Sequence, residues 1–158
     1  MFKSALVTTD GSEAAATVLS HVAHVTAPDG KVTVVTVIDD AGRLVARMTP
    51  AGFEMGAGIA TGDLVDQAIA AQRAGAEQNI AAAKAVLVAT GVKQVDGLIL
   101  SGIPGEAIVQ AAKDTKADIV LMATHGRSGI KRAVVGSVAE HVLRHLEGVP
   151  VLLINPKS

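Results

Sequence analysis

The fold is decided by residues 119–137, Ile119-Val-Leu-Met122-Ala-Thr-His-Gly126-Arg-Ser-Gly129-Ile-Lys-Arg-Ala-Val-Val-Gly136-Ser137. Ile119, Val120, Leu121 and Met122 are apolar without alternation, the mark of a strand covered on both faces. Beyond Ser137, the residues Val138, Val142, Leu143 and Leu146 recur at helical spacing. A glycine-rich connection therefore joins a buried strand to an amphipathic helix. Backbone amides with no Cβ above them close around anions, and a helix start adds unpaired N–H groups and a positive dipole end. The connection is a candidate phosphate site.

Four more apolar, mostly β-branched runs lie outside this segment, at residues 5–9, 32–38, 95–100 and Val151–Ile154; the run opening it extends over 119–124. Helical patterns separate them, so the chain reads as an α/β fold with right-handed crossovers. The expected architecture is an open five-stranded parallel sheet, Rossmann-like, with helices on both faces. A first helix begins near Ser12, whose hydroxyl caps it, and buries Ala15, Val18, Leu19, Val22 and Val25 before Pro28, Asp29 and Gly30 end it. A second spans about 63–89, with Leu64, Ala68, Ile69, Ile80, Ala83 and Leu87 inward and Gly91 as its stop. A third follows Gly102-Ile-Pro104, buries Ile108, Ala111 and Ala112, and ends before Asp118.

Residues 39–61 carry Gly42, Pro50, Gly52, Gly56 and Gly58. Unstructured connections beyond about 12 to 15 residues are usually functional or mobile. A flexible lid or partner surface is expected there, with a turn of helix around 44–48.

A length of 158 residues, 49% of them hydrophobic and 18% charged, fits a single domain over residues 1–158. Aromatic residues make up 1%, with no Trp or Tyr, so Val, Ile, Leu and Ala must build the core. A net charge of -1 provides no field to gather nucleic acid or an acidic membrane. Phe2 and Phe53 are the only Phe, Trp or Tyr rings for stacking bases, which further disfavours nucleic acid. The absence of Cys excludes disulfides, thiolate catalysis and thiolate metal sites. Ala5-Leu6-Val7 is too short for a secretory signal, and no run reaches the roughly 18 apolar residues of a membrane span. A cytoplasmic, soluble domain is the expectation.

In such a sheet, ligands bind beyond the carboxyl ends of the strands where the winding reverses. The first and fourth strands are neighbours there, which brings Asp10 and the Gly126 loop to one crevice. Asp10 has two readings, a ligand contact or a cap of the first helix. The loop has two as well, because Ser137 with Glu140 three positions later makes a capping box. Arg127, Lys131 and Arg132 add positive charge without a catalytic role. His141 and His145, four apart, would share a metal or lie on a surface or dimer face, and His21 and His24 pose the same choice. Asp39 and Asp40 would approach a nucleotide-bound magnesium or simply end a strand in polar residues. If 151–154 is a sheet edge, it would pair with a second copy or be covered within the chain.

The stretches Leu121-Met-Ala-Thr-His-Gly-Arg-Ser-Gly-Ile130, Gly136-Ser-Val-Ala-Glu140 and Val149-Pro-Val-Leu-Leu153, with Leu6-Val-Thr-Thr-Asp10-Gly-Ser12 and Gly102-Ile-Pro104, resemble the universal stress protein family. The resemblance covers nearly the whole chain. Nucleotide-binding members carry G-x2-G-x9-G-[ST], whose later positions fall on Gly126, Gly136 and Ser137. The first falls on Ala123, where one added methyl group would crowd the ribose or reset the loop.

The resemblance implies strand order 3-2-1-4-5, as in adenine nucleotide α-hydrolase-like folds, and binding of ATP with magnesium. Asp10 would meet the ribose or the metal, beside Thr8 and Thr9, and Val37 would meet adenine through its backbone. Met122 and Ala123 would line the ribose. His125, Gly126, Gly136, Ser137 and Val138 would surround the phosphates, with Arg127 and Gly129 in the same loop. It also implies a homodimer through Val151–Ile154 and a nucleotide-dependent stress-response regulator whose occupancy alters a surface for a regulatory protein partner. No catalytic residue is readable. A slow ATPase or phosphoryl-transfer enzyme, and a nucleotide-independent interaction protein, are the alternatives.

Overall fold

A computed structural model describes residues 1–49, 62–124 and 135–155. The unbroken apolar runs become β1 (Phe2–Thr8), β2 (Thr26–Ile38), β3 (Gln94–Ser101), β4 (Ile119–Ala123) and β5 (Val151–Ile154). They form one parallel sheet in the order β3-β2-β1-β4-β5, as expected. Between them lie α1 (Glu13–Val25), α2 (Ala41–Met48), α3 (Gly62–Ala89), α4 (Pro104–Asp114) and α5 (Ser137–His145).

Because strand side chains alternate between faces, each run feeds two cores. Ala5, Val7, Val32, Val34, Ile119 and Leu121 pack with Val18, Leu19 and Val22 of α1 and Ile80, Ala83 and Leu87 of α3. On the other face Leu6, Val35, Val120 and Met122 pack with Ile108 and Ala112 of α4 and Val142 and Leu146 of α5. Fully burying a side chain such as Leu6 or Leu121 contributes about 1.5–3 kcal/mol. The sheet is thereby clamped from both sides.

The helix-one stop differs from expectation. α1 ends at Val25 and the chain turns straight into β2 at Thr26, so Pro28, Asp29 and Gly30 fall within β2. They occupy the irregular step in register between Phe2↔Thr26 and Ser4↔Lys31. The expected stripe of α1 holds, with Val25 only half-buried.

Leu64 is 44% exposed and Leu143 47% exposed, against the inward placement expected of both. Length explains Leu64. Ile80 lies against Gly97, in the space a side chain there would fill. From Ile80 back to Gly62, α3 runs about 27 Å, whereas from Gly97 to Ser101 the sheet extends only about 13 Å. The first turns of α3 thus stand beyond the sheet; Val65 there is buried, and α2 packs on α3.

The expected single turn at 44–48 is a helix of eight residues, with Leu44 buried and Asp40 Oδ1 accepting from the Arg43 N–H at 2.8 Å as its cap. Residues 39–49 are therefore structured, which corrects the expected loop. Pro50, Gly52, Gly56 and Gly58 lie outside the described residues.

Candidate functional site

The central strand pair comes apart at its carboxyl end. β1 and β4 pair through Ala5↔Ile119, Leu6↔Val120 and Val7↔Leu121, and there the register stops. Beyond it β1 leans on β2: Thr8 pairs with Val35, the Thr9 N–H donates to Val35 O at 2.9 Å, and the Thr36 hydroxyl donates to Thr9 O at 2.9 Å. β4 leans the other way, pairing to Ala123↔Ile154, with the Thr124 N–H donating to Ile154 O at 3.0 Å. Each strand keeps its outer neighbour and gives up the inner one. Thr8, Thr9 and Asp10 follow the last shared pair on the β1 side, and Met122 and Ala123 follow it on the β4 side.

On the β1 side, Thr9 is buried and Thr8 half-buried. Asp10 Oδ1 accepts from the Ser12 N–H at 2.9 Å, and Thr9 Oγ1 accepts from the Gly11 N–H at 3.3 Å. Gly11 sits at φ +76, a conformation that L side chains rarely adopt, and the Asn79 carboxamide of α3 occupies the place of its absent Cβ. The helix cap itself is Ser12, whose hydroxyl accepts from the Ala15 N–H at 3.2 Å. Asp10 shapes the turn before the helix rather than capping it.

Val37 turns its main chain toward the β1 side. In a parallel ladder alternate residues direct their N–H and C=O to alternate sides. The Val35 carbonyl faces β1, so Val37 also faces that side, past the last β1 residue that pairs with β2. Its neighbour Ile38 turns the opposite way and accepts from the Gly102 N–H at 3.1 Å.

On the β4 side, His125, Gly126, Arg127 and Gly129, with Lys131 and Arg132, lie outside the described residues. The two ends of their loop meet where the Gly136 N–H donates to Thr124 O at 2.6 Å. Gly136 is the N-cap of α5 and no side chain caps the helix, which corrects the capping box expected of Ser137 and Glu140. The Glu140 carboxylate is drawn to Arg144 at 2.6 Å instead. The first-turn amides of Ser137 and Val138 have no preceding helical carbonyl to reach, and the dipole end of α5 adds positive potential there.

Asp39 and Asp40 are built into the scaffold. Asp40 caps α2, and buried Asp39 accepts from Arg43 Nε at 3.0 Å and Arg47 at 2.6 Å while its N–H donates to Gln72 Oε1 at 2.9 Å. Sequence reading missed this cluster, although Arg43 and Arg47 stand four and eight residues after Asp39, the spacing at which helical side chains meet one partner. His141 and His145 stack with ring centroids 4.0 Å apart, His141 lying against Gly105 of α4. His21 and His24 are tilted at 6.5 Å. Among the described residues no three His, Cys, Asp or Glu side chains gather as a metal site, and no helix is long and apolar enough to cross a membrane. β5 is the sheet edge, its four apolar residues each half-buried.

Residues 1–155 match the profile of the Universal stress protein family. Over 65 residues the chain is 38% identical to universal stress protein MJ0577 of Methanocaldococcus jannaschii, covering 41% of this chain and 40% of that protein. The matched stretch thus spans less than half the length of that curated relative. The solved structure of hypothetical protein MJ0577 superposes with a TM-score of 0.78 at 28% identity, covering 100% of this chain and 99% of the other. A universal stress protein from Archaeoglobus fulgidus in complex with dAMP has TM-score 0.60 at 19% identity, covering 96% of each chain. A family protein from Arabidopsis thaliana with AMP bound has TM-score 0.65 at 15% identity, covering 99% of this chain and 93% of the other. The last two share the fold.

Proposed function

This chain belongs to the universal stress protein family, and from that premise we propose that it binds ATP in the cleft between β1 and β4 and acts as a nucleotide-dependent stress-response regulator. The observation that carries the reading is the end of β1–β4 pairing after Val7 and Leu121, which supports a cleft between Asp10 and the start of α5. Adenine monophosphates bound to two proteins of the same fold support the choice of ligand.

Val37 offers a main-chain donor beside an acceptor, complementary to the ring nitrogen and amino group of adenine and mismatched to the reversed pair of guanine. Met122, Ala123, Thr8 and Thr9 would enclose the ribose. The amides of Ser137 and Val138, with His125, Gly126, Arg127 and Gly129, would hold the phosphates. Gly136 would contribute by having no side chain, since its amide is engaged by Thr124. Magnesium takes one or two protein carboxylates together with substrate phosphates and water, so Asp10 suffices as the protein's share. Bound nucleotide would bias the surface formed by α2 and α3 toward a regulatory partner, and β5 would pair with a second copy to form a homodimer.

One observation favours a second reading, an interaction protein that dispenses with nucleotide. The Gly136 amide is already committed at 2.6 Å, and Ala123 adds a methyl group at the cleft wall. Two measurements separate the readings. With no Trp or Tyr in the chain, carried-over adenine should dominate the ultraviolet spectrum of the purified protein. In calorimetry, Gly136→Val should weaken ATP binding at least about tenfold. The fold should survive, because Gly136 has φ -61 and ψ 155, an extended backbone open to valine. Unchanged affinity in that variant would refute the phosphate site, and no adenylate uptake by the parent protein would favour the second reading.

A further inference from the structure

We propose that Asp39 is a positioning residue for base selectivity: its carboxylate fixes the end of β2 against the α2–α3 hairpin and so holds the Val37 main chain at the angle that reads adenine. The proposal rests on the nucleotide reading above. Asp39 directly follows the last residue of β2 and stands two positions after Val37. Its side chain is 9% exposed, yet it meets two guanidinium groups of α2, Arg43 at 3.0 Å and Arg47 at 2.6 Å. Its own N–H donates to Gln72 of α3 at 2.9 Å. Strand, short helix and long helix are thus joined at a single residue.

That junction matters because the β1–β2 ladder has ended there. Past Val35, from Thr36 to Ile38, the strand pairing of β2 is to β3, an edge strand, and the tie toward β1 is the Thr36 hydroxyl on Thr9 O at 2.9 Å. Two hydrogen bonds to a base are directional, so a small rotation of the Val37 peptide would spoil the donor–acceptor match. Phosphate binding at α5, across the cleft, would not register that rotation. A residue that merely stabilised the fold would weaken base and phosphate binding together. A positioning residue should separate them.

The test uses Asp39→Asn, Arg47→Ala and Arg47→Lys in the whole chain, with ATP, GTP and inorganic tripolyphosphate as probes in calorimetry. Asparagine keeps one acceptor but presents an NH2 group to a guanidinium, so the two-armed grip is lost. The ATP-to-GTP affinity ratio should fall about tenfold in Asp39→Asn, while tripolyphosphate affinity stays within about twofold. Arg47→Ala should lower the ratio about threefold, and Arg47→Lys should restore part of it by returning the charge. The Arg47 side chain is 65% exposed, so its variants carry the test if Asp39→Asn does not fold.

A parental ratio retained in the folded variants, or ATP and tripolyphosphate weakened in step, overturns the proposal. Failure of the parent protein to bind ATP ends the nucleotide reading and this one with it. A parent that selects adenine, with variants that select it equally well, ends this one alone.

Discussion

The two ends of the β1–β4 pair contrast sharply although the same two strands make both. At the amino end the Asp118 N–H donates to Ser4 O at 2.7 Å, and Asp118 Oδ2 accepts from Lys3 N–H at 2.8 Å and Ser4 N–H at 3.2 Å. There an aspartate stitches the strands together. At the carboxyl end another aspartate, Asp10, turns its Oδ1 to Ser12 in its own loop, and each strand bonds outward to β2 or β5. Past the last shared pair the hydrogen bonds are redirected, with main-chain pairing kept on the outer sides. Since an unpaired buried amide costs about as much as a lost hydrogen bond, such redirection is how a sheet opens without large loss.

The strongest way to break this contrast is to hollow out the packing at the last shared rung. Leu121 is fully buried and pairs with Val7 where the strands separate. Leu121→Ala should destabilise the chain by about 3 kcal/mol, the middle of the range for buried leucines, and should weaken ATP binding because the cleft floor shifts. Urea unfolding and calorimetry measure the two effects. A loss below about 1 kcal/mol would mean that the core collapses around the smaller side chain and that packing at this rung does not hold the strands in place.

Asp118→Ala sharpens the comparison by acting on the closed end alone. Losing the charged acceptor of two strand amides should cost about 1–2 kcal/mol, with ATP affinity unchanged within about twofold, since distant sites add independently. Comparable losses in stability and in binding would show that the two ends are mechanically one.

Much of this contrast was legible in the residues. Non-alternating runs gave the five strands and their burial on both faces, and Asp10 after an apolar strand marked the switch point. What escaped was non-local. Leu64 reads as an inward helical residue because periodicity says nothing of where a sheet ends, and α3 outruns the sheet by several turns. Ser137 reads as a cap because Ser-x-x-Glu is a local pattern, yet Gly136 takes the cap position once its amide is drawn to Thr124. Asp39 and Asp40 do follow the strand end, as read, but the tie of Asp39 to Gln72, 33 residues on, has no local sign, unlike its Arg43 and Arg47 partners at four and eight. Local patterns fixed the strands and the point where the winding reverses, and long-range contacts decided how the elements around it end.

A third stitch, at the amino end of the β2–β3 pair, tests whether a carboxylate at a strand start needs main-chain partners to matter. Lys31 meets Asp96 at 2.7 Å, with the two side chains 51% and 61% exposed. The hydrogen bond from Lys31, and then its charge, hold the Asp96 carboxyl below the ordinary value, while burial works weakly against them and Lys84 assists. A depressed carboxyl pKa stabilises the fold above the unfolded-state value, about 3.9, and the contribution disappears as pH falls through the folded value. Solvent screening keeps it small, at most about 0.5 kcal/mol. Lys31→Met should therefore lower stability slightly at neutral pH, by less than Asp118→Ala, and the deficit should shrink toward zero below about pH 4 and in high salt. Urea titrations at neutral and acid pH read it directly. A deficit independent of pH and salt would assign the effect to the aliphatic stem of Lys31, leaving Asp118, with its main-chain amides, as the stitch whose charge holds strands together.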